Sequence, residues 1–138
     1  MKRIRVLIAD DHRDFRKVVH DFLDQLPNVS VVGEACDGDD AVEQVGRLTP
    51  DVVLMDIQMP KKNGLEATKI IKDRWPATKV LIATLNDDSR YRVQALEAKA
   101  DGFIVKSDLK PILEQTFASN FSDAADPFKD KSTKNSDY

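Results

Sequence analysis

The chain has 138 residues, 41% hydrophobic and 33% charged, which is enough for one domain with a buried core and too apolar for wholesale disorder. A net charge of −3 argues against nucleic acid as a direct partner, and a single cysteine, Cys36, excludes an internal disulfide and fits a reducing compartment. The apolar stretch after Met1-Lys2-Arg3 stops at Asp10-Asp11, too short for a signal peptide or a membrane span, so a cytoplasmic protein without a membrane partner is expected.

Ile4 to Ala9 is apolar and β-branched and predicts a buried parallel strand. Phe15, Val18, Val19, Phe22, Leu23 and Leu26 recur at helical spacing, which predicts an amphipathic helix of about 13 residues stopped by Pro27. Val29, Val31 and Val32 form a second strand. Asp37 or Gly38 opens a second helix carrying Ala41, Val42, Val45 and Leu48, which ends before Pro50. Val52 to Met55 is the third strand, and Leu65, Ala67, Thr68, Ile70 and Ile71 lie on a third helix that stops before Pro76. Lys79 to Ala83 is the fourth strand, ending at Thr84. Asp87 or Asp88 caps a fourth helix with Tyr91, Val93, Ala95, Leu96 and Ala98. Gly102 to Val105 is the fifth strand, ending at Lys106. Asp108 caps a last helix that tolerates Pro111 in its first turn and turns Ile112, Leu113, Thr116 and Phe117 inward.

Five apolar strands alternating with five helices imply an α/β fold, a single doubly wound five-stranded parallel sheet covered on both faces. Residues 1–118 form that domain. From about Ser119 periodicity gives way to Ser, Asp, Lys and Asn, and residues 119–138 read as a disordered tail or part of a linker.

Polar residues collect at the carboxyl ends of the strands: Asp10-Asp11, Asp56, Thr84 and Lys106. In an open parallel sheet the ligand crevice lies outside those ends. Two like charges about 4 Å apart repel by about 4 kcal/mol at an effective dielectric near 20, so three carboxylates there need protons or a cation. Hard oxygen ligands with room for water and phosphate favour Mg²⁺. With a divalent ion present, Asp56 stays ionised and can attack phosphorus, while Lys106 and the Thr84 hydroxyl meet phosphoryl oxygens.

The order Asp10-Asp11, Asp56 within Leu-Met-Asp-Ile-Gln-Met-Pro, Thr84, and Lys106 after Gly-Phe-Ile-Val resembles the receiver domain of two-component response regulators over roughly residues 3 to 118. The resemblance implies a (βα)5 flavodoxin-like fold with strand order 2-1-3-4-5. It further implies that Asp56 accepts a phosphoryl group from a sensor histidine kinase or a histidine phosphotransfer protein. Asp11 would ligate Mg²⁺ directly, Asp10 mainly through water, Asp56 itself would take part, and the backbone carbonyl of Gln58 would complete the site. Thr84 and Phe103 would be the switch residues, and the output would be a population shift that controls an output domain or partner, homodimerisation on phosphorylation included. Such a domain catalyses only its own phosphorylation and dephosphorylation. The Asp-Asp-His start and the Lys-Ser-Asp turn resemble receivers that precede a helix-turn-helix domain.

Three positions depart from the family pattern. Ser107 follows Lys106 where Pro joined by a cis bond is frequent; a non-proline cis bond costs about 3 kcal/mol, so a trans peptide or a rearranged loop is expected. Lys99 stands where helix 4 often ends in Gly. Leu85 follows Thr84 where a small residue is frequent, and its bulk is expected to narrow access for small phosphodonors. His12, beside the acidic pair, reads as a residue opening the first helix, because magnesium prefers oxygen. His20 reads as a surface residue. Two alternatives remain: a phosphorylation-independent receiver-like binding module, and an aspartyl phosphatase of haloacid-dehalogenase type. The intact set of five residues speaks against the first. Gln58, where the phosphatase would carry its second acid, speaks against the other.

Overall fold

The structure is a computed structural model and describes residues 3–118. The expected tail, residues 119–138, lies outside the described residues, as do Met1 and Lys2. Five strands and five helices alternate: β1 (Ile4–Ala9), α1 (Arg13–Asp24), β2 (Val29–Ala35), α2 (Gly38–Leu48), β3 (Val52–Met55), α3 (Gly64–Arg74), β4 (Lys79–Thr84), α4 (Ser89–Glu97), β5 (Gly102–Val105) and α5 (Leu109–Ala118). The sheet is parallel throughout, in the order β2-β1-β3-β4-β5.

Alternation along the strands divides the interior into two cores. Ile4, Val6 and Ile8 of β1, with Val52 and Leu54 of β3, meet Val19 and Leu23 of α1 and Leu113 and Phe117 of α5 on one face. Leu7, Ala9, Val53 and Met55 point the other way, onto Ala41 and Val45 of α2, Ala67 and Ile71 of α3 and Ala95 of α4. Both faces are covered, so the central β3 is apolar throughout, whereas β1 admits Arg5 and the edge strand β2 admits Ser30 and Glu34.

Local chemistry sets most boundaries. Asp37 caps α2 by accepting from the Asp40 backbone N–H at 2.7 Å. Asn63 and Glu66 form a reciprocal capping box at the start of α3. Of the two candidates at α4, Asp88 is the cap and accepts from Arg90 N–H, while Asp87 holds the Arg92 side chain at 2.7 Å.

Four details differ from the sequence reading. The first helix ends at Asp24, and Leu26 belongs to the following turn, where its N–H donates to Leu23 O at 3.0 Å. β2 runs on through Ala35, because Gly33 and Glu34 pair with Leu7 and Ile8 after a bulge that skips Val32. Asp108 does not cap α5: Lys106–Asp108 form a 3-10 turn that leads straight into that helix. Lys99, which put a glycine-type helix end in doubt, nevertheless adopts the left-handed conformation at φ 67°. Its N–H donates to Leu96 O, and Ala100 N–H reaches back to Ala95 O at 3.0 Å, so the closing motif persists with a strained residue in it. No described peptide bond is cis, as expected at Lys106-Ser107.

Candidate functional site

Two ladder bonds carry the sheet one residue beyond its strands and fix the acids. Asp10 N–H donates to Ala35 O at 3.0 Å, and Asp56 N–H donates to Ala9 O at 2.9 Å. The loop after Asp56 returns at once, with Gly64 N–H donating to Ile57 O at 2.7 Å. A Cβ at Gly64 would lie 1.8 Å from the Asp56 carbonyl oxygen, so only glycine lets α3 begin this close to the acid.

Asp10 and Asp56 are buried and Asp11 is exposed. Ligand atoms of Asp10, Asp11, His12 and Asp56 all lie within 4.8 Å of one another. Lys106, at the end of β5, sets its ammonium 2.7 Å from Asp10 Oδ2 and 3.6 Å from Asp56 Oδ1. Thr84 is buried and pairs in register with Val105, one residue before Lys106. The topology thus gathers Asp10, Asp11, Asp56, Thr84 and Lys106 at one edge. Gln58 is exposed, and its side-chain amide donates to the Tyr91 hydroxyl at 3.1 Å. Phe103 is half-buried against the second core, and the Arg92 guanidinium lies 4.6 Å from its ring centre.

Burial pushes the Asp56 carboxyl up to about 6 from an ordinary 3.8, with help from the charge of Asp10 and against the pull of Lys106. Three carboxylates and one ammonium leave a formal charge of −2. That deficit, with its oxygen-rich donors, fits one hard divalent cation.

Sequence reasoning did not assign three contributors. His12 opens α1 as expected, yet its Nδ1 also lies 3.1 Å from both Asp10 Oδ1 and Asp11 Oδ1. Arg16 donates to the Asp10 carbonyl at 2.6 Å and to Glu34 at 3.0 Å. Phe15 places its ring 4.0 Å from the Lys106 ammonium. Helical spacing marked Phe15 only as a core residue.

Comparison with known proteins agrees with this arrangement. The family model "Response regulator receiver domain" matches residues 6–116. The chain is 43% identical over 104 residues to the transcriptional regulatory protein DegU of Brevibacillus brevis, covering 75% of this chain and 44% of that protein. It is 40% identical over 106 residues to a protein-glutamate methylesterase/protein-glutamine glutaminase of Pyrococcus abyssi, covering 76% of this chain and 29% of that enzyme. The chain therefore spans less than half the length of these two relatives. Among solved structures, the response regulator domain of Thermotoga maritima CheB superposes with a TM-score of 0.78 at 34% identity, over 85% of this chain and 95% of that one. Phosphorylation-dependent switching is the general function of such domains, and they generally bind Mg²⁺ in an acidic pocket. On sequence, fold and the gathered acids alike, this chain belongs to the response regulator receiver family.

Proposed function

We propose that Asp56 is the phosphoacceptor of a phosphorelay, charged by a sensor histidine kinase or a histidine phosphotransfer protein. The observation that carries this reading is the placement of Asp10, Asp11 and Asp56 around one point, with the Lys106 ammonium reaching two of them. An Asp56 carboxylate oxygen attacks phosphorus, the bond from phosphorus to the donor nitrogen breaks, and the imidazole leaves with its electron pair. Asp10, Asp11, Asp56 and the Gln58 carbonyl are the residues that would hold Mg²⁺. When bound, that ion neutralises the carboxylates and the incoming phosphoryl oxygens. Lys106 leaves Asp10 for a phosphoryl oxygen, and the Thr84 hydroxyl donates to another.

In this reading the switch runs from Thr84 to Phe103, whose ring lies beneath Arg92. The recipient is an output domain or a partner protein, a second copy of this chain included. The similarity to a transcriptional regulator favours a transcriptional output, with residues 3–118 making no direct contact to nucleic acid. We assign the protein to the cytoplasm and no enzymatic activity to the receiver beyond gain and loss of its own phosphoryl group. No described helix is long and apolar enough to cross a membrane.

The test is incubation with Mg²⁺ and a small acyl phosphate, followed by mass spectrometric mapping. Stable labelling at Asp56, lost in Asp56→Asn, is the expected result. Multiple-turnover hydrolysis without a stable adduct would favour the phosphatase. Neither labelling nor a Mg²⁺ effect would favour a binding module.

A further inference from the structure

We propose that Phe15 is a positioning residue for Lys106 during phosphoryl transfer, an inference that rests on Asp56 being the phosphoacceptor. The Lys106 side chain is 6% exposed, and among the described residues its ammonium meets Asp10 Oδ2 at 2.7 Å, Asp56 Oδ1 at 3.6 Å, and the Phe15 ring centre at 4.0 Å. A cation this close to an aromatic face is attracted by the ring quadrupole, and more strongly where water is excluded. The contact joins the start of α1 to the end of β5, so it depends on how α1 packs against the first core, where Phe15 is itself half-buried.

An aromatic face suits this lysine for a reason that a third carboxylate would not. The ammonium must pair with Asp10 before transfer and with a phosphoryl oxygen afterwards. A hydrogen-bond acceptor on the third side would pin it in one orientation. The ring supplies attraction without an acceptor atom, so the ammonium can pivot across its face while staying desolvated. Phe15 also covers the α1 side of the lysine with an apolar surface, which keeps water from taking the place of the phosphoryl oxygen.

The test compares Phe15→Leu, which keeps apolar cover and removes the ring, with Phe15→Tyr, which keeps the ring. Labelling of Asp56 by a small acyl phosphate in Mg²⁺ is expected to fall by up to roughly thirtyfold in Phe15→Leu, the rate equivalent of a desolvated cation–π contact, and to stay within about twofold in Phe15→Tyr. The loss is expected in the maximal rate and not in the donor concentration giving half of it. If Phe15→Leu fails to fold by circular dichroism, site-specific fluorination of Phe15 serves instead, since it weakens the negative face and preserves the shape; the rate should then fall with each added fluorine. A ring-current shift at the Lys106 ε-methylene protons reports the contact in unphosphorylated protein, and should be present in wild type and Phe15→Tyr and absent from Phe15→Leu. Equal labelling rates in all folded variants, or a flat fluorine series, would overturn the proposal alone. Failure to label wild type at all would overturn the reading of Asp56 itself, and the positioning role with it.

Discussion

Replacing Asp56 by Asn should make the metal-free protein more stable at neutral pH. Asp56 is 7% exposed, and burial, reinforced by Asp10, raises its carboxyl from 3.8 to about 6 despite Lys106. At about 1.4 kcal/mol per pH unit, that displacement amounts to about 3 kcal/mol of preference for the uncharged acid in the folded state. Because the folded value is the higher one, the stability contributed by the protonated acid is complete below 3.8 and is lost as pH rises through about 6. Asn is uncharged at every pH and escapes that loss. Urea unfolding in EDTA should therefore show Asp56→Asn ahead by up to about 3 kcal/mol near pH 7.5, with the gap closing towards pH 4. Millimolar Mg²⁺ should narrow the gap by stabilising wild type, with its extra carboxylate, more than the variant. An Asn variant no more stable than wild type at pH 7.5 in EDTA would refute the reasoning, because Lys106 would then already balance the site.

Lys99→Gly should stabilise the fold by about 1 kcal/mol in urea titrations, since a non-glycine residue in the left-handed region costs about that much. Gly64→Ala should destabilise by about 1–3 kcal/mol or more and slow labelling of Asp56, because the new methyl falls on the Asp56 carbonyl and α3 must move away. Leu85 is 71% exposed, and Leu85→Ala should speed labelling by a small acyl phosphate; equal rates would show that its bulk does not limit access. Lys106→Ala should slow phosphoryl transfer and, in EDTA near neutral pH, also cost about 3–5 kcal/mol in urea unfolding, because Asp10 loses its buried partner.

Most properties that belong to one segment were legible in the sequence, the end of α1 and the start of α5 excepted. The strands showed as apolar runs, and their polar terminators Asp10, Asp56, Thr84 and Lys106 stood out because each closes such a run. The parallel sheet then brought those ends to one edge. Contacts between segments were not legible. By its sequence Lys106 is a point charge for a phosphoryl oxygen, yet it is also the counter-ion of Asp10, which turns a substitution aimed at function into one that also affects folding. Phe15 showed only its helical period, and nothing in that period distinguishes a ring over a cation from a ring in the core. Lys99 marked a missing glycine, but whether the cap would dissolve or strain was decided by the Ala100 to Ala95 hydrogen bond. Asp108 is a good cap by residue type alone. The 3-10 turn through Lys106–Asp108 leads without a break into α5, so no free first turn waits for it.

The bulge in β2 acts as a phase correction. Val31 pairs with Val6 and, with Val32 skipped, Glu34 pairs with Ile8 and faces α1, where it meets Arg16 and His20. Strict alternation through Val32 would turn Glu34 to the opposite side of the sheet, towards α2. Arg16 would then lose its carboxylate and be left with the Asp10 carbonyl alone. Shortening the edge by one residue at Val32 leaves Glu34 on the α1 side, whereas straightening it at full length does not. The phase of an edge strand sets the footing of an acid on the neighbouring one.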